Sequence, residues 1–121
     1  AIDDADPARA ERDARLMIGF YLTVKTYDTL IALHGWEVPV AAIRDAFRAR
    51  DFDAMAAAVT VDMLDSIAVY GTSAEARDRL AARRRLPNLR FHSPPSFLVS
   101  DRRKAAYTEA SIDLLSGRPA T

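Results

Sequence analysis

Apolar residues recur at steps of three and four along most of the chain, the spacing that lines one face of a helix. Leu16, Phe20, Val24, Tyr27 and Ile31 make one such row, and Met17, Ile18 and Leu22 widen it almost all round. Asp6-Pro7 predicts where this helix starts, since an aspartate accepts from the orphan amides and proline at the first helical position has no amide to leave unpaired. The row predicts one long helix that stops near His34-Gly35. Trp36-Glu37-Val38-Pro39 then reads as a connector, because Pro39 interrupts a helix.

Residues 40–49 read as a short amphipathic helix with Ile43 and Phe47 inward, and Asp51 caps a further one through Phe52, Met55 and Val59. Thr60 caps a helix carrying Val61, Leu64, Ile67 and Ala68, which runs into a corner at Gly71-Thr72. There Gly71 closes one helix in the left-handed conformation, and Thr72 caps the next while Glu75 reaches back to complete a capping box. That next helix continues through Ala76 and Leu80 until Pro87-Asn88 breaks it. The period then changes. Leu89-Arg90-Phe91-His92 is the one clear strand, stopped by Ser93-Pro94-Pro95, and only Ala1-Ile2 and Phe97-Leu98-Val99 offer it neighbours. Ser100 caps a final helix over 101–116, with Ala105, Ala106, Ile112 and Leu115 on its packed side and Gly117 ending it.

Composition narrows the partners. The chain has 121 residues, half of them hydrophobic, which suits one folded domain, and 17 basic side chains balance 17 acidic ones. No global field therefore favours nucleic acid, an anionic membrane or a polyanionic substrate. Without cysteine there is no disulfide, thiolate metal site or cysteine nucleophile, a composition that fits a cytoplasmic protein. No apolar run reaches the roughly 18 residues of a membrane span, and the acidic start is unlike a signal peptide. His34 and His92 lack carboxylate or cysteine partners at ligand spacing, so no metal site is expected.

The ordered set of motifs resembles the closing segment of the luciferase-like monooxygenases, which are barrel enzymes using a flavin such as FMN or the deazaflavin coenzyme F-420. The set runs from Asp3-Asp4 through Phe20-Tyr21-Leu22, Tyr27, His34-Gly35-Trp36 and Asp62-Met63-Leu64-Asp65. It continues through Tyr70-Gly71-Thr72-Ser73-Ala74-Glu75 to Ser93-Pro94-Pro95. The resemblance implies an α/β fold in which residues 1–121 form the C-terminal portion of a TIM (β/α)8 barrel. These would be the end of strand seven, its following helices, strand eight at 89–92 and the final helix. Members of the family usually enter strand eight through an Ala-Gly pair and an acidic residue, where this chain has Arg83-Arg84-Arg85-Leu86-Pro87-Asn88.

On that resemblance, His92 and Ser93 fall at the carboxyl end of a barrel strand, where such enzymes gather their chemistry. His92 is then the candidate catalytic residue, through hydrogen bonding or proton transfer near neutrality, and Ser93 the candidate cofactor contact. The plainer reading of His92 is that it ends the strand. Tyr21, Lys25 and Tyr27 fall beside the expected mouth as candidate contacts for an anionic substrate, although Tyr27 also completes the helical row and Lys25 also reads as a solvated charge. The Thr72-Ser73 amides offer an anion site that Glu75 opposes.

The function implied is the C-terminal part of a flavin- or F-420-dependent oxidoreductase acting on a small organic substrate. Strands one to six would be encoded upstream. The piece alone is expected to be inactive and to bind no cofactor, with the remainder of the barrel or a second copy as its partner. A non-catalytic helical self-association or protein-interaction module is the alternative, motivated by the over-hydrophobic helix through Leu33. A helix-turn-helix-like nucleic-acid binder built on Arg77, Arg79, Arg83, Arg84, Arg85 and Arg90 is a further one, which Asp78, Glu75 and whole-chain neutrality oppose.

Overall fold

The computed structural model describes residues 1–83 and 92–117. Seven α-helices run through them: α1 (Pro7–Leu22), α2 (Asp28–His34), α3 (Glu37–Arg48), α4 (Phe52–Ala58), α5 (Val61–Ile67), α6 (Ser73–Ala81) and α7 (Asp101–Ser116). A single 3₁₀ turn, Lys25–Tyr27, separates α1 from α2.

This architecture corrects the expected α/β class. Among the described residues there is no strand and no sheet, only an isolated parallel bridge between Ile2 and Gly71. Asp3 N donates to the Gly71 carbonyl at 3.0 Å, and Gly71 N donates to the Ala1 carbonyl at 3.1 Å. The extended pieces on either side are about three residues long, too short to build a ladder, and the apolar spacing elsewhere is helical throughout. The stretch Leu89-Arg90-Phe91 of the expected strand lies outside the described residues. His92, its last member, sits in irregular chain, and Phe97-Leu98-Val99 forms a turn with Leu98 at φ 54° rather than a strand.

Helix α1 is the axis of the core. Leu16, Ile18 and Leu22 join Ile31, Val40, Ile43, Met55, Val59, Met63 and Leu64 in one buried cluster. α3 and α4 pack on each other and on α1, and α5 lies against α1. Gly19 permits this close approach, since a Cβ there would meet Met55 Cγ at 3.2 Å. The apolar row does not continue as one helix. The chain turns by 91° between Pro7–Leu22 and Lys25–His34. The Thr23 hydroxyl donates to the Phe20 carbonyl at 2.6 Å, and Arg44 Nε donates to the Leu22 carbonyl at 3.1 Å, so the last carbonyls of α1 are satisfied without a further helical turn.

Pro39 does not make a connector either. It is the third residue of α3, where a missing amide breaks no helical bond. The Gly71 corner also differs from expectation. α5 ends at Ile67 and three residues intervene before Gly71, whose φ of 101° suits glycine. The capping box from Thr72 to Glu75 forms as the spacing predicts.

α7 turns a different face inward from the one expected. Tyr107 and Ser111 are buried, while Ala105, Ala106, Ile112 and Leu115 are exposed. The cause is Asp13, fully buried on α1, which recruits polar partners from α7. Tyr107 OH donates to Asp13 Oδ2 at 2.6 Å, Arg103 Nε donates to the same oxygen at 3.2 Å, and Arg9 Nε donates to Oδ1 at 3.2 Å. Arg103 also reaches Asp3 at 3.3 Å. A buried carboxylate must be compensated, and Arg103 and Tyr107 on this face of α7 supply donors that do so.

Candidate functional site

An open cavity of about 480 Å³ lies between the N-terminal segment, α1, the end of α5, α6 and the segment that leads into α7. Its described walls are mainly apolar. Met17 and Ile18 come from α1, Ile67 and Ala68 from the end of α5, Leu80 from α6, and Pro94 and Pro95 from the incoming segment. Five polar side chains complete the described lining: Tyr21, Arg83, His92, Ser93 and Ser111. The size falls within the roughly 300–1,000 Å³ of small-molecule sites, and an apolar wall with a few polar groups is their usual chemistry.

The elements that place these groups follow from the packing. Tyr21 is the penultimate residue of α1. It remains 39% exposed, with its ring 6.2 Å from Phe20 and 5.9 Å edge-on from Tyr27. His92 and Ser93 are held near the cavity by Phe97, five residues on from His92. Phe97 stacks on Phe20 at 4.5 Å and meets Phe52 edge-on at 5.7 Å. Ser96 Oγ adds a contact to Met17 Sδ at 3.8 Å. Arg83 follows the C-terminus of α6, and its guanidinium donates to the Ala68 carbonyl at 3.2 Å.

Three residues singled out in the sequence, Tyr21, His92 and Ser93, thus share one cavity. Lys25 and Tyr27 do not line it. Lys25 is exposed in the 3₁₀ turn, and Tyr27 packs against the main core while touching the cavity only through Tyr21. From the sequence Arg83 falls in the arginine cluster of the nucleic-acid alternative and not at a small-molecule site. A signal was present, because Arg83 stands three residues after Leu80 and so continues its side of the helix into the cavity.

The start of α6, the one anion cradle the sequence offers, is filled by the protein's own carboxylates. Asp4 accepts from Ser73 N at 2.6 Å and from the Ser73 hydroxyl at 2.7 Å, and Glu75 accepts from Thr72 N at 2.8 Å. The Ser73 amide and hydroxyl hold the Asp4 carboxyl below its ordinary value, and Thr72 does the same for Glu75. Two ionised carboxylates on the donors leave no place for a phosphate.

Tyr70 and Arg79 complete the corner. Arg79 lies 3.8 Å over the Tyr70 ring and bonds Asp65 at 2.8 Å, and Tyr70 OH donates to the same carboxylate at 3.1 Å. Burial raises the Tyr70 hydroxyl above its ordinary pKa, with the bond to Asp65 adding to it. Arg79 and Arg83 are therefore engaged within the fold, and Arg84, Arg85 and Arg90 lie outside the described residues. No group of three or more metal-ligating side chains occurs among the described residues. Among them too, no single helix is long and apolar enough to cross a membrane.

The family model described as luciferase-like monooxygenase matches residues 1–88. No curated protein and no solved structure matches the chain. The matched range includes Tyr21 and Arg83 and ends before His92 and Ser93, whose place at the cavity rests on geometry alone.

Proposed function

The chain belongs to the luciferase-like monooxygenase family, and from that premise we propose that it supplies the organic-substrate side of a flavin- or F-420-dependent oxidoreductase. The observation that carries the reading is the meeting of Tyr21, His92 and Ser93 on one mainly apolar cavity. An apolar wall binds the carbon skeleton of a small molecule, and a hydroxyl or imidazole at its edge orients the reacting end. Imidazole is also the side chain that moves a proton most readily near neutral pH, which gives His92 the acid–base role and Tyr21 and Ser93 the orienting ones.

FMN and F-420 both carry phosphate, and the start of α6 offers no place for it. The amide cradle at the start of α6 is closed by Asp4 and Glu75. The division of labour that follows has other residues holding the cofactor while this chain shapes the substrate space. Fluorescence titration of the 121-residue chain with FMN and with F-420 tests it. The expected result is no saturation below about 100 µM, with binding restored in the longest polypeptide of the same reading frame. Saturation at low micromolar concentration by the 121 residues would overturn the proposal.

One observation favours a second reading, that of a self-associating module. The outward face of α7 leaves Ile112 53% and Leu115 43% exposed, three residues apart on one helical side. Light scattering separates the readings. A concentration-dependent dimer that Ile112→Ser with Leu115→Ser returns to monomer supports association through this face, and a monomer at all concentrations removes it.

A further inference from the structure

We infer that the cavity is built for a small organic anion, a carboxylate above all, with Arg83 as the residue that recognises it. The inference rests on the reading of the cavity as an organic-substrate site and adds the charge of its occupant. The chain carries 17 acidic side chains, yet none belongs to the described lining, where Arg83 is the one permanently charged group. Arg83 donates to the Ala68 carbonyl, and among the described residues no carboxylate lies within ion-pair distance of it. The intervening sequence at 84–91 contains no Asp or Glu to supply one. Among the described residues Arg9, Arg12, Arg15, Arg44, Arg48, Arg79 and Arg103 each hold a carboxylate, and Arg50 and Arg102, which form no ion pair, are exposed on helix surfaces or turns rather than set in a cavity wall.

A guanidinium has five N–H donors in a fixed fork, so one bond to a main-chain carbonyl leaves several for a ligand. The Ala68 carbonyl fixes the direction of the side chain without neutralising it. Beside Leu80 and Ile67, the charge faces less water than on an open helix, which strengthens its attraction for an anion and makes a neutral polar group a poorer replacement. The Tyr21 and Ser93 hydroxyls on the same lining add uncharged donors for the second oxygen of a carboxylate.

The test compares 4-phenylbutyrate with its neutral isostere 4-phenylbutyramide on the full 121-residue chain, by calorimetry and by ligand-detected NMR. The expected result is at least tenfold tighter binding of the acid. That ratio falls to near one in Arg83→Gln and is partly kept in Arg83→Lys, and added salt weakens the acid alone. Equal affinity of acid and amide in the unaltered chain overturns the charge inference while the cavity reading stands, and this comparison needs no variant to fold. Binding of neither overturns the cavity reading itself. A preference for the acid that persists in a folded Arg83→Gln chain overturns the role of Arg83, and tenfold tighter binding of phenyl phosphate overturns the choice of carboxylate.

Discussion

Asp13 illustrates how one side chain decides where a helix goes. It is fully buried, and its two oxygens take hydrogen bonds from Arg9, Arg103 and Tyr107. Removing one member of a buried charged group leaves the others uncompensated, so Asp13→Ala is expected to cost about 3–5 kcal/mol in urea unfolding. Tyr107→Phe deletes a single bond to that carboxylate and is expected to cost about 1–3 kcal/mol. Gly71 is a second such residue. At φ 101° an added Cβ would lie 2.4 Å from Glu75 Oε2, so Gly71→Ala both strains the backbone and displaces the carboxylate of the capping box. A loss of about 2–4 kcal/mol combines the usual cost of such strain with that of a lost cap. The two differ in what the sequence shows: Gly71 was legible as a corner from its neighbours, while Asp13 was silent, because nothing local distinguishes a buried aspartate from a solvated one.

The attachment of α7 titrates at the scale of the element. Burial pushes the Tyr107 hydroxyl up to about 12 from its ordinary 10.0, and the bond to Asp13 adds to the shift. The folded state therefore holds this proton more tightly than the unfolded chain does. Tyr107's contribution is whole below pH 10 and is lost as pH rises towards about 12. Unfolding midpoints measured across that interval are expected to fall, and to fall less steeply in Tyr107→Phe. The start of α6 behaves in the opposite sense. Asp4 and Glu75 are held below their ordinary values by Ser73 and Thr72, so their capping is present above the ordinary carboxylate range and is lost as pH falls through the lowered values. Asp4→Asn is expected to reduce the acid sensitivity of α6, read from the amide signals of residues 72–76. The segment bearing His92 depends on Phe97, which is half-buried among Phe20, Phe47 and Phe52. Phe97→Ala is expected to cost on the order of 2 kcal/mol, below the roughly 3–5 kcal/mol of a fully buried phenylalanine, and to weaken organic-ligand binding in the cavity together with stability.

For the whole molecule, two apolar clusters divide the work. The larger one joins α1 to α5, and a small one of Ala10, Val99 and Tyr107 sits under α7. The cavity opens near the boundary between them, with Ser111 of α7 on its wall. α7 is tied to α1 mainly through charged and hydroxyl groups rather than by interlocking apolar side chains. Polar attachment of this kind is more responsive to pH than a hydrophobic seam. Local opening is therefore expected to begin at α7, and hydrogen exchange at pH 11 should release its amides before those of α3 and α4.

The side-chain caps of five of the seven described helices rested on local chemistry and were legible from the sequence: Asp6, Asp51, Thr60, Thr72 and Ser100 each accept from an amide at the start of the helix they were expected to open, while the starts of α2 and α3 carry no such cap and were not foreseen. The family was legible too, because an ordered set of short motifs survives without any knowledge of contacts. Tertiary structure alone decided the break after Leu22, where Arg44 from another helix takes a carbonyl that the periodicity assigned to a continuing helix. It alone turned α7 towards Asp13, and it alone joined Arg83 to Tyr21, His92 and Ser93 around one space. Capping and periodicity act over three or four residues and are written in them, whereas a buried charge or a cavity wall takes its meaning from groups that only the folded chain brings near.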